Sequence, residues 1–248
     1  MKAFMEAELL AVITTARRRF TDLVLTHCKH GLSPQVYQRY LSMQYHLTKN
    51  VQWYFMTVAA HASLAKLRGL RRFLVDFANE EELHYLVAAL DLHKMELSVL
   101  PIPFDVELWH AYFSNVVQDR PLVRLGAACV LENLSGTENR SAFKELLREP
   151  FLSKENTKFL VLHMHETVPH GELVLDAVRH AGLSSSQWAD LVEGAKKGAV
   201  LYLRMAEWAL DAESLGAWAS SGAGAEILSC EDRSLLPQAA RLTAVAAA

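Results

Sequence analysis

Three stretches of the chain carry side chains able to do chemistry. The first is Asn79-Glu-Glu-Glu-Leu-His84, in which Glu81 and His84 form an E-x-x-H pair. The second is Glu132, a lone acid whose neighbours one turn away, Ala128, Cys129, Ser135 and Gly136, are all small. The third is Leu160 to His180, which holds His163, Glu166, Thr167 and His170 around Pro169. On a helix, residues three and four apart share a face, so Glu81 and His84 meet, and His163, Glu166, Thr167 and His170 fall within an arc of about 100°. Imidazoles and carboxylates on apolar faces need partners, and a metal ion is one way to supply them. Inward-facing carboxylates and imidazoles from different helices are how bundles build iron or manganese centres. Two histidines and one carboxylate with open positions suit Fe(II) that must bind dioxygen. Any single motif is cheap in a chain this rich in Glu and His. The information lies in their succession on three core helices.

The elements that must position these groups are helices. Apolar spacing of i, i+3, i+4 recurs, strand-like alternation is scarce, and the seven prolines and eleven glycines leave long uninterrupted segments. The expected fold is all-α, a single-domain seven-helix bundle. The first helix runs from about residue 4 to 30, with Gly31 beyond it. Ser33-Pro34 opens a second, to about residue 68. A third covers about 70 to 99 and ends before Pro101 and Pro103. A fourth covers 106 to 118, and a fifth runs from Asp119-Arg-Pro121 to about 139. The sixth is the stretch from 160 to 180, where Pro169 predicts a kink. The seventh runs from about 187 to 212. The helical domain spans 1–215, and the small, polar stretch 216–248 is expected to be loosely ordered.

Taken together, these motifs resemble the haem-oxygenase-like diiron oxidases and oxygenases. Those seven-helix proteins carry E…H on the third core helix, a lone Glu on the fifth and H-x3-D-x2-H on the sixth. Glu81 and His84 match the first element, Glu132 the second, and His163 and His170 the outer positions of the third. The central acid of that element falls on Thr167, a poor metal ligand. Glu166 is adjacent but turned by about 100°, and is the replacement candidate if Pro169 distorts the turn. The resemblance implies iron, one ion or two, and no haem. It implies an O2-dependent oxidase or oxygenase acting on a small amino-acid- or fatty-acid-like substrate. It also places the substrate beside the metal under the first two helices, where Tyr37, Tyr45, His46 and Trp53, with Thr167, are the pocket candidates. Two other readings stay open. One is a metal-independent enzyme of the same fold using acid–base chemistry, thiaminase-like or quinone-cofactor-synthase-like. The other is a non-catalytic ligand-binding protein. Cys129 is the one cysteine near the site in the core helices, but its surroundings do not match the thiaminase-like pattern.

Bulk properties narrow the partners. The chain has 248 residues, 51% of them hydrophobic, enough for one sizeable core. A net charge of −3 offers no basic excess for nucleic acid. Three scattered cysteines fit a reducing cytoplasm better than a disulfide framework. No apolar run reaches about 18 residues, so no membrane span is expected. Two early acids argue against a targeting signal. A homodimer is the default assembly.

Overall fold

The computed structural model describes residues 2–29, 31–134, 144–164, 170–220 and 226–245. Among them the secondary structure is helical throughout. The helices are α1 (Lys2–Lys29), α2 (Pro34–Thr48), α3 (Val51–Ala60), α4 (Arg68–Glu81), α5 (His84–Lys94), α6 (Phe104–Asp119), α7 (Pro121–Leu134), α8 (Lys158–Met164), α9 (His170–His180), α10 (Ser185–Leu210), α11 (Leu215–Ala219) and α12 (Cys230–Val245). A 3-10 turn covers Ala62–Leu64.

Seven expected rods account for α1 to α10, but two of the rods are interrupted among the described residues. The second breaks at Lys49-Asn50, so α2 and α3 are separate helices. The third breaks at Glu82-Leu83. Leu83 has φ −110° and ψ 3°, outside the helical basin, although neither Gly nor Pro marks the place. Glu81 therefore ends α4 and His84 begins α5, and the E-x-x-H pair straddles a corner. The sixth rod is described as α8 and α9. Residues 165–169 between them, including Glu166, Thr167 and Pro169, lie outside the described residues.

Local sequence explains several of the ends. Ser33 caps α2, its hydroxyl accepting from Val36 N with Pro34 in the first turn. Ser184 and Gln187 form a reciprocal capping box on α10. The loosely ordered tail is corrected in part. Residues 230–245 form α12, which packs against α5 and α8. Its anchor is Asp232, 4% exposed. That carboxylate accepts from the Tyr85 hydroxyl and pairs with Lys49 at 3.1 Å. The Ser229 hydroxyl in turn accepts from Asp232 N at 2.9 Å.

At the centre, α10 packs along α7, and α1 covers α10. This close approach needs glycine. A Cβ on Gly126 would collide with the carbonyl oxygen of Leu191, and one on Gly194 with the carbonyl oxygen of Val123. Trp109, Trp188, Phe20 and Phe113 fill the core around the pair. No helix among the described residues is long and apolar enough to cross a membrane.

If α7 and α10 are held at backbone contact, Gly194→Ala must push them apart. Urea unfolding should show a loss of about 2–3 kcal/mol. An unchanged midpoint would contradict the packing described.

Candidate metal centre

Four helices converge on one carboxylate. Glu81, at the C-terminal end of α4, has a side chain only 4% exposed, while Glu80 beside it faces water. Its Oε2 lies 2.8 Å from His84 Nδ1 and its Oε1 2.7 Å from His170 Nδ1. The two imidazoles stand on either side of it with parallel rings, centroids 6.0 Å apart. Glu132, from α7, brings Oε2 to 3.8 Å from the same His170 Nδ1. One ligand atom each from Glu81, Glu132 and His170 all lie within 4.8 Å of one another. His163, from α8, packs its ring against His84 at 5.5 Å and 76°. The five candidates Glu81, His84, Glu132, His163 and His170 thus occupy one locus. Glu166 and Thr167 fall outside the described residues.

The second contacts of the imidazoles fix which nitrogen is available. His163 Nδ1 donates to the Phe159 carbonyl at 2.7 Å, so the lone pair of the neutral ring sits on Nε2. Burial, helped by His84, pushes His163 down to about 4, which keeps it neutral at physiological pH. His170 turns Nε2 to Glu80 Oε1 at 3.1 Å and Nδ1 to the buried acids. A carboxylate behind an imidazole is a common orienting contact for metal-binding histidine.

The charges balance through proximity. Burial works against ionised Glu81, but His84 and His170 outweigh it and hold the carboxyl well below its usual range. Burial raises Glu132, Glu81 adds to the rise, and His170 opposes it. Burial also works against protonated His170, but Glu132 and Glu81 overcome it and raise the imidazole strongly. Two acids thus draw a proton onto His170, at the place where a cation would serve both. The donor set fits a metal ion of the kind that takes mixed carboxylate and imidazole ligands, and iron is one such ion.

Neighbouring residues that sequence reasoning missed hold the parts in register. Asn133 Nδ2 donates to the Gly171 carbonyl at 3.1 Å and to the Cys129 carbonyl at 2.7 Å. A Cβ on Gly171 would come within 2.5 Å of Asn133 Oδ1, so glycine lets α9 reach α7 beside His170 and Glu132. Arg17 Nε, on α1, donates to the Asn133 carbonyl at 2.9 Å. Asp91, on α5, is fully buried and accepts from Phe159 N at 2.8 Å, which caps the helix carrying His163. A lone acid in the apolar run Val87 to Leu92 was the available signal.

A cavity of about 80 Å³ opens beside the acids, reaching from Glu81, Glu132 and His163 to Tyr40, Gln44 and Arg124. The pocket candidates Tyr37, Tyr45, His46 and Trp53 do not line it. Tyr37 donates to the Asn156 carbonyl, Tyr45 packs on Tyr85, His46 bonds the Leu100 carbonyl, and Trp53 is 44% exposed. The cavity-facing stripe of α2 is Tyr40, Gln44, Leu47 and Thr48. Tyr202, on α10, also lines the cavity, and its hydroxyl accepts from Gln44 at 3.1 Å.

The chain has a haem-oxygenase-like fold. A crystal structure of a domain of unknown function with a haem-oxygenase-like fold, from Shewanella denitrificans, superposes with a TM-score of 0.72. The match covers 88% of this chain and 96% of that one at 19% identity, a likeness of fold. No protein-family model and no curated protein matches the sequence.

Burial raises Asp91 to about 7. A carboxyl whose folded value lies above its unfolded value stabilises the fold at low pH, and that contribution is lost as pH rises toward 7. Asp91→Asn keeps the acceptor and removes the charge. The stability difference between Asp91→Asn and wild type should therefore move in favour of the variant by about 4 kcal/mol between pH 4 and pH 8. A difference that stays flat across this window would show that Asp91 titrates normally.

Proposed function

We propose that this protein is a non-haem iron enzyme that uses O2 to oxidise a small organic substrate. The observation that carries the reading is the convergence of Glu81, Glu132 and His170, from three helices, within 4.8 Å beside a cavity that contains both acids. These three residues would hold the ion, with His84 and His163 flanking it and offering positions for a second. Iron bound there would supply the electrons that reduce dioxygen.

The chain's own groups do the rest. Glu80 and the Phe159 carbonyl orient His170 and His163. Metal entry requires the proton on His170 to leave, and Glu132, raised by burial, is placed to take or release a proton at the cavity wall. Phe77 and Phe159 pack against the His170 and His163 rings and limit water at the site. Cys129 is no nucleophile in this reading. It is buried, and burial with Glu132 pushes its thiol up to about 12.

A metal-free acid–base enzyme is the second reading. The approach of Glu132 Oε2 to His170 Nδ1 at 3.8 Å favours it, because it sets a strongly raised, protonated imidazole beside a carboxylate that lines the cavity.

The test is anaerobic reconstitution with Fe(II), desalting, and measurement of retained iron and O2 uptake. Wild type should retain about one or two ions per chain and consume O2 faster than free Fe(II). Glu132→Ala and His170→Ala should each lower retained iron by about tenfold or more, with O2 uptake falling in step. Variants that keep wild-type iron would sink the ligand assignment. Turnover that survives a strong chelator would support the acid–base reading instead.

A further inference from the structure

The cavity has a second polar end. Arg124 lies two turns before Glu132 on the same face of α7, about 12 Å away along the axis. It is 3% exposed and lines the cavity that reaches the two acids. Aromatic rings surround its guanidinium. The Tyr54 ring centroid is 4.4 Å from Cζ, that of Trp109 5.4 Å and that of Phe113 5.6 Å. Its Nε is buried without a hydrogen-bond partner among the described residues, and so is Nε1 of Trp109, which lines the same cavity.

A buried cation without an acceptor is costly. The aromatic faces attract the charge but leave its N–H groups unused. Burial pushes Arg124 down to about 10, so it stays cationic at neutral pH. Two donors, one of them charged, therefore belong to residues that line one cavity, with no hydrogen-bond acceptor for them among the described residues. A carboxylate supplies the acceptors and the countercharge together.

We propose that Arg124 and the Trp109 indole bind the carboxylate of a short carboxylic acid, at the end of the cavity away from Glu81 and Glu132. The inference rests on the reading that the carboxylate–imidazole cluster is the reacting end, and it makes the substrate an acid held by its tail. Ala128, between Arg124 and Glu132 on α7, leaves room for the carbon chain. The small cavity selects a chain of a few carbons over a long acyl chain.

The test is thermal unfolding of metal-free protein, in chelator at constant ionic strength, with butanoate and with butanamide. Bound ligand raises Tm by mass action. Butanoate should raise the wild-type Tm and butanamide should not. Arg124→Met should abolish the response, and its own ligand-free Tm should match or exceed wild type, since an unpaired buried charge has gone. Arg124→Lys keeps the charge without the planar fork, and should weaken butanoate by about tenfold. It serves if the Met variant does not fold. Equal shifts from acid and amide, no shift from butanoate, or full response in either variant would overturn the proposal. A response that appears only after Fe(II) is restored would also overturn it, by placing the carboxylate at the acids' end, while leaving the metal reading intact. Loss of the metal reading would show in iron retention, which this assay does not use.

Discussion

A carboxylate buried between two imidazoles is the constraint on which the rest depends. Glu81 has almost no contact with solvent, yet its charged form is favoured, because each oxygen faces a histidine within 2.8 Å. Removing either imidazole would leave a buried charge without its partner, a situation that costs several kcal/mol. The surrounding architecture serves this arrangement. The corner between α4 and α5 puts Glu81 and His84 face to face. Gly171 and Asn133 bring α9 against α7, so that His170 meets both acids. Asp91 anchors the start of α8, one turn before His163.

The ligand candidates were legible because their chemistry is distinctive and their order along the chain follows the order of the core helices. The helix breaks were not. Leu83, with φ −110° and ψ 3°, carries no Gly or Pro signal. Lys49-Asn50 did contain a turn-forming residue within an otherwise helical pattern. The cavity beside the acids meets α2 at Tyr40, Gln44, Leu47 and Thr48 and not at Tyr37, Tyr45 or His46. An aromatic-rich helix with buried residues all round gives periodicity little to work with, and Tyr45 and Gln44, adjacent in sequence, face different neighbours. Arg124 and Asp91 each carry the same sequence signal, a single charge in an apolar run. Such a residue is buried with its element, and its partner or ligand becomes a question about function.

The two ends of the cavity give the site a polarity that neither end has alone. Acids and imidazoles gather at Glu132, and a cation caged by aromatic rings waits two turns away on the same helix. The spacing is set by α7 itself, a rigid element clamped against α10 through glycine contacts. Fixed distance along a rigid helix is a good basis for holding a small molecule in one orientation, which is worth more to a reaction than affinity alone. The fold, shared with a domain of unknown function, supplies the scaffold, and the reading of function rests on this chain's own side chains.

The most direct measurement is a crystal structure of the protein soaked anaerobically with Fe(II), with anomalous diffraction recorded at the iron edge. An anomalous peak enclosed by Glu81, Glu132 and His170, with His170 Nδ1 as its nitrogen ligand, is the expected result. A site filled only by protein hydrogen bonds, with His170 still protonated between the two acids and iron absent or bound elsewhere, would contradict it.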